Sequence, residues 1–126
     1  MRERRVLWVA LALTLVACDP GPHGPGAIGG SVESSQGSVR GAVLEIHGDN
    51  LHRVEAQSGT WLFQRPMEQQ GGVRLVLVSQ GDHAPTIRIH LQDLSGSLPQ
   101  AVLLELSDVE DRPFQTVQGA RVRFFR

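Results

Sequence analysis

From Ala27 to Arg126 apolar and polar residues alternate with a period of two, the signature of strands that bury one face. Val39 to His47 sets Ala42, Leu44 and Ile46 on one parity against Val39, Gly41 and Val43 on the other. Gly59 to Gln64 places Trp61 and Phe63 on a shared parity, and Gly71-Gly72 turns the chain into the apolar run Val73 to Val78. The clearest alternation is Thr86 to Gln92, with Ile87, Ile89 and Leu91 facing inward and Arg88, His90 and Gln92 facing solvent. Ala101 to Leu106 and Ala120 to Phe125 supply two more strands, the last with Val122 and Phe124 opposite Arg121 and Arg123.

Turn-forming residues stand between these runs: Gly48-Asp49-Asn50, Gln57-Ser58-Gly59, Gln80-Gly81-Asp82, Ser95-Gly96-Ser97 and Gln118-Gly119. Regular strand spacing with such punctuation predicts an all-β fold, a single small antiparallel β-sandwich spanning residues 27–126. No segment shows a convincing amphipathic helix, and the one place open to a helical turn between two strands is Leu91 to Leu98.

The first residues follow another pattern. Arg2, Arg4 and Arg5 precede an apolar run, Val6 to Ala17, which is too short to span a bilayer comfortably and matches the length of a secretory signal. The run ends in Leu15-Val16-Ala17-Cys18, which resembles the lipobox of bacterial lipoproteins. That resemblance implies recognition of Leu15, Val16 and Ala17 by the lipoprotein signal peptidase, removal of residues 1–17, and acylation of Cys18. Its implied partner is the lipid bilayer of a cell envelope, with the rest of the chain facing periplasm or cell surface. Asp19 to Gly26 holds three prolines and three glycines, a composition that buries no core, so residues 18–26 read as the lipidated cysteine and its tether.

Composition narrows the classes. All twelve basic residues are arginine, against thirteen acidic ones, and removal of residues 1–17 takes three arginines and one glutamate with it. The remainder carries 9 − 12 = −3, with no basic patch of the kind nucleic-acid binding requires. The single cysteine rules out an intramolecular disulfide, a cysteine-based zinc site and a CxxC pair.

The strand order of the C-terminal half carries a second resemblance. Gly72 to Val78, Ile87 to Leu94, a further apolar strand, and then Leu106-Ser107-Asp108-Val109-Glu110-Asp111 leading to Gly119-Ala120-Arg121-Val122 is similar to bacterial cohesin domains. Gly41 to Ile46, followed by a segment holding Val54, suits the second strand of that family. The resemblance implies an aligned sandwich used for protein attachment; an immunoglobulin-like or prealbumin-like sandwich is the other arrangement open to this pattern. Arg112-Pro113 stands where the family's loop carries glycine, which puts dockerin binding itself in doubt.

Reactive chemistry is sparse. His47 and His52 flank a turn and Asp82-His83 lies elsewhere, but no metal-ligand spacing joins them, and solvent-facing histidines are expected. Asp108, Glu110 and Asp111 lack the alternating ligands and the glycine of a calcium loop, so a solvated acidic turn is expected, with no metal and no cofactor. Ser58, Ser79, Ser95 and Ser107 stand in no activating context, and no catalytic constellation is visible. Aromatic residues at a period of two are usually core, which is the expectation for Trp61 and Phe63, although the pair can also form a stacking platform for a sugar ring or a partner's side chain. One of Phe124 and Phe125 must face outward, and Trp61 and Phe125 are the candidate binding surface. The function expected is a non-enzymatic, membrane-anchored protein-binding or structural module. Its partner would be another envelope protein, such as a component of a secretion, motility or surface-assembly complex. A glycan-binding lipoprotein is the alternative.

Overall fold

The computed structural model describes residues 23–68 and 71–126; the segments read as signal peptide and lipobox, and residues 18–22 of the stretch read as tether, lie outside the described residues. The described residues form eight strands: β1 (Gly26–Ser34), β2 (Gly41–His47), β3 (Leu51–Ala56), β4 (Thr60–Pro66), β5 (Gly72–Ser79), β6 (Thr86–Leu91), β7 (Gln100–Ser107) and β8 (Ala120–Phe125). They make two four-stranded antiparallel sheets, ordered β3-β6-β1-β8 (sheet A) and β4-β5-β2-β7 (sheet B). The all-β sandwich read from the alternation is the observed fold.

Pairing is nested: β1 with β8, β2 with β7, β3 with β6 and β4 with β5. The molecule is thus an antiparallel ribbon rolled on itself, the jelly-roll principle, with β1·β6 and β2·β5 knitting the roll into sheets. An immunoglobulin domain is ordered differently, since its first two strands are neighbours in one sheet; here β1 and β2 lie in opposite sheets.

The core follows the parity read from the sequence. Sheet A contributes Ile28, Val32, Val54, Ile87, Ile89 and Leu91, and sheet B contributes Ala42, Leu44, Ile46, Leu75, Leu77 and Leu106. These fully buried side chains are all aliphatic; among the described residues no aromatic ring is one of them. Phe114 and Phe124 close the margins of the core instead.

β7 reconciles an irregular pattern with this core. Its pairing with β2 shifts between Val43 and Leu44, so that Leu104 is the extra residue of a bulge. The bulge lets Leu103 and Leu106, three positions apart, both turn toward the core, while Val102, Leu104 and Glu105 face out.

No helical turn is present over Leu91 to Leu98. Asp93–Gly96 forms a β-turn closed by Gly96 N–H to Asp93 O at 3.0 Å. Its conformation is set by the Asp93 carboxylate, whose Oδ1 accepts from Ser95 N–H at 3.0 Å and Ser95 Oγ at 2.8 Å. Asn50 holds the turn to the β2–β3 corner: its Nδ2 donates to the carbonyls of Asp93 (2.8 Å) and Ser97 (3.0 Å), and its Oδ1 accepts from Asp93 N–H (2.9 Å). Ordered backbone also begins earlier than expected. Gly24, inside the stretch read as tether, donates to Asp93 Oδ1 at 3.0 Å and accepts from Leu94 N–H at 2.8 Å.

Candidate functional site

The outer faces of the two sheets differ in chemistry, because the outward positions of their strands differ. In sheet B the outward positions of β4 are Trp61, Phe63 and Arg65, and those of β5 are Val78, Val76 and Arg74. Register places Trp61 beside Val78, Phe63 beside Val76, and Arg65 beside Arg74. Val43 of β2 continues the Phe63–Val76 row, and Glu45 continues the arginine row toward Val102 of β7. The result is a face whose one half is aromatic and aliphatic and whose other half is charged.

Trp61 is 57 % and Phe63 63 % exposed, and Val76, Val102 and Leu104 are exposed with them. The core expectation for Trp61 and Phe63 is therefore corrected. The inward positions of β4 are Thr60 and Leu62; Thr60 is buried, and its Oγ1 accepts from Thr86 N–H at 3.1 Å, which ties the two sheets together. The aliphatic core is filled without the two aromatic rings, and they are left outside. A groove of about 660 Å³ opens beside the stripe, lined by Val43, Val76, Val78, Leu104, Pro113 and Phe114.

In the charged half Glu45 is paired. Arg74 Nη2 lies 2.8 Å from Glu45 Oε2, and His47 Nε2 lies 3.6 Å from Glu45 Oε1. The Arg74 hydrogen bond, more than the opposing desolvation, draws the Glu45 carboxyl below its ordinary range.

Sheet A presents charge instead. Glu55 meets Arg53 and lies 3.3 Å from His90 Nε2, and its carboxyl is held below the ordinary range first by the His90 contact. Arg123 Nε lies 2.5 Å from Glu33 Oε1, and the Arg123 guanidinium sits 5.5 Å from the centre of the Phe125 ring. Phe125, 37 % exposed, lies across Gly29 of the neighbouring strand, where a Cβ would approach the ring to 2.3 Å. An aromatic side chain covering a cross-strand glycine stabilises a sheet. Trp61 and Phe125, the two residues of the candidate binding surface, are both exposed, but they belong to the outer faces of opposite sheets and form no common surface.

Ser79, His83 and Asp108 have structural partners. The Ser79 hydroxyl is buried, donates to the carbonyl of His83 at 2.6 Å and also faces the carbonyl of Gly81 at 3.1 Å. His83 Nδ1 lies 3.0 Å from the carbonyl of Ala84, a contact only a protonated Nδ1 makes favourable, so it is no base toward Ser79. Asp108 Oδ1 accepts from the N–H groups of Glu110 and Arg112, both at 2.9 Å, and the Arg112 side chain pairs with Glu110. The acidic turn is closed by its own arginine. Asp111 takes a positive φ of 63° within it. No group of three or more His, Cys, Asp or Glu side chains among the described residues is placed to hold a metal ion. Leu15, Val16, Ala17 and Cys18 fall outside the described residues.

Sequence reasoning missed the aliphatic share of the exposed face. The signal was available: Val76 and Val78 share a parity opposite to Leu75 and Leu77, so β5 is apolar on both sides, and an apolar outer side needs a cover or a partner. Comparison with protein-family models, with curated proteins and with solved structures finds no match to this chain.

Proposed function

We propose that this chain is a lipid-anchored envelope module that binds another envelope protein, without catalysis, through the outer face of sheet B. The observation that carries the reading is the stripe Trp61, Phe63, Val76, Leu104 and Val102, large apolar side chains gathered on one sheet face of a small domain. Aromatic residues flanked by aliphatic ones, with arginines at the rim, have the composition of a protein-docking patch. The lipobox Leu15-Val16-Ala17-Cys18 supports the anchor, and the sandwich agrees with the attachment role that the cohesin resemblance implies.

A sugar platform also uses exposed aromatic rings, but it needs polar groups placed to meet hydroxyls, whereas the neighbours of Trp61 and Phe63 are Val76 and Val78. The aliphatic surround favours a protein partner over the glycan alternative.

Crosslinking of tagged, lipidated protein in solubilised envelopes, followed by mass spectrometry of co-purified chains, tests the reading. A defined set of envelope proteins is expected with the native chain and is expected to be lost in a Trp61→Ala/Phe63→Ala variant of unchanged melting temperature. Recovery of the same set from both forms would overturn the assignment of the face. Binding of the native chain to cell-wall glycans, with no protein captured, would move the function to the alternative.

A further inference from the structure

The end of the sandwich from which the tether leaves carries a second apolar patch, separate from the face of sheet B. Leu94 and Leu98 of the β6–β7 connection, Ile28 of β1, and Phe124 and Phe125 of β8 line a hollow of about 500 Å³. Leu98 is 58 % exposed, and Phe125 is partly exposed as well. Gly24 is fixed to this same end, hydrogen-bonded to Asp93 and Leu94, and a Cβ on Gly26 would strike the Leu94 side chain at 2.4 Å.

Chain length sets how far this end can be from a lipid on Cys18. Five residues, Asp19 to His23, separate Cys18 from Gly24. Even fully extended, six steps of chain reach only about 20 Å, less than the roughly 30 Å run of the 9-residue strand β1 at about 3.3 Å per residue. A domain held so closely by one end presents that end to the bilayer.

We infer that the patch around Leu98 and Phe125 is a membrane-contact surface, which enters the bilayer interface when Cys18 is acylated. The inference rests on the lipid anchor of the proposed function, not on its protein partner. Asp49 in the adjoining β2–β3 turn and the Asp93 carboxylate accompany Arg126 at this end, so the contact draws on apolar burial and not on attraction to anionic lipid. It also fixes orientation: with this end on the membrane, the strands stand away from the bilayer and Trp61 and Phe63 face sideways, open to a partner in the same membrane.

Hydroxyl-radical footprinting tests this with the mature lipidated chain reconstituted into phosphatidylcholine vesicles, compared with an unlipidated Cys18→Ser form in buffer. The diacylglyceryl mass on Cys18 is verified first; its absence would remove the anchor and this inference with it. With the lipid present, labelling of Leu98 and Phe125 is expected to fall several-fold on vesicles while that of Trp61 and Phe63 is unchanged. In a lipidated Leu98→Asp variant the protection of Phe125 is expected to be lost. Equal labelling of Leu98 and Phe125 in both forms, or equal protection of all four residues, would overturn the orientation while leaving the lipid anchor standing.

Discussion

Phe125 illustrates how one side chain can be exposed and still structural. Its ring takes the place of the missing side chain of Gly29, so truncating it uncovers backbone in a paired strand. Phe125→Ala is expected to cost about 1 kcal/mol, the scale of a good cross-strand pair, and Gly29→Ala to cost more in the native background than in the Phe125→Ala background, where the obstructing ring is gone. A double-mutant cycle in urea measures that coupling, and simple additivity would contradict the contact. Asn50 is the polar counterpart. Its three hydrogen bonds to the 93–97 turn imply a loss of about 2 to 3 kcal/mol for Asn50→Ala, at roughly 1 kcal/mol each. Proton linkage acts through Glu45, Glu55 and Asp93, whose carboxyls are all held below their ordinary values in the fold, Asp93 chiefly by the Ser95 amide and hydroxyl. For a carboxyl depressed on folding the unfolded chain binds more protons, so its contribution is full above the unfolded pKa and disappears as pH falls through the folded one. Stability is therefore expected to decline from about pH 5 downward, and Glu45→Gln to flatten that decline in melting curves taken across the range.

At the scale of elements, strands with strict alternation were legible and strands shaped by contact were not. β6 needed nothing but its pattern: Ile87, Ile89 and Leu91 face the core as read. β1 was hidden because Gly26, Gly29 and Gly30 lower strand propensity. They are there for close packing: a Cβ at Gly30 would meet Ile87 and Ile89 at 3.3 Å, and Gly26 and Gly29 lie under Leu94 and Phe125. β3 was reduced to the neighbourhood of Val54, since a bulge near His52 breaks its alternation and Val54 is its one fully buried side chain. Parity was legible for β4, but which parity faces inward was not. That choice depends on how much space the aliphatic side chains of β2, β5 and β6 leave, and it belongs to the whole core. The crowding at Gly30 gives a direct check. Gly30→Val, which improves local strand propensity, is expected to lower stability by about 2 kcal/mol through overpacking, seen as a lower urea midpoint at unchanged slope.

Across the whole molecule, the two sheets divide the work that a sandwich surface must do. Sheet A turns Arg53, Glu55, Glu33 and Arg123 to solvent as ion pairs, which keeps that side soluble and adds little to stability. Sheet B leaves an aromatic and aliphatic stripe on a domain whose core is complete without it, and that asymmetry yields a prediction separating binding from folding. Were Trp61 a core residue, its removal would cost about 3 to 5 kcal/mol; at 57 % exposure the expected cost of Trp61→Ala is below about 1 kcal/mol. The exposed stripe should also show itself without any partner. A chain beginning at residue 19 is expected to self-associate as its concentration rises, because two copies can cover each other's stripes, and its Phe63→Asp variant is expected to stay monomeric at the same melting temperature. Sedimentation velocity over a concentration series checks this. Association that survives Phe63→Asp would shift attention to the open edges of β7 and β8, where unpaired backbone groups offer strand addition instead of face-to-face contact. Loss of association with stability retained would identify the stripe as the self-association surface, exposed without being needed for folding.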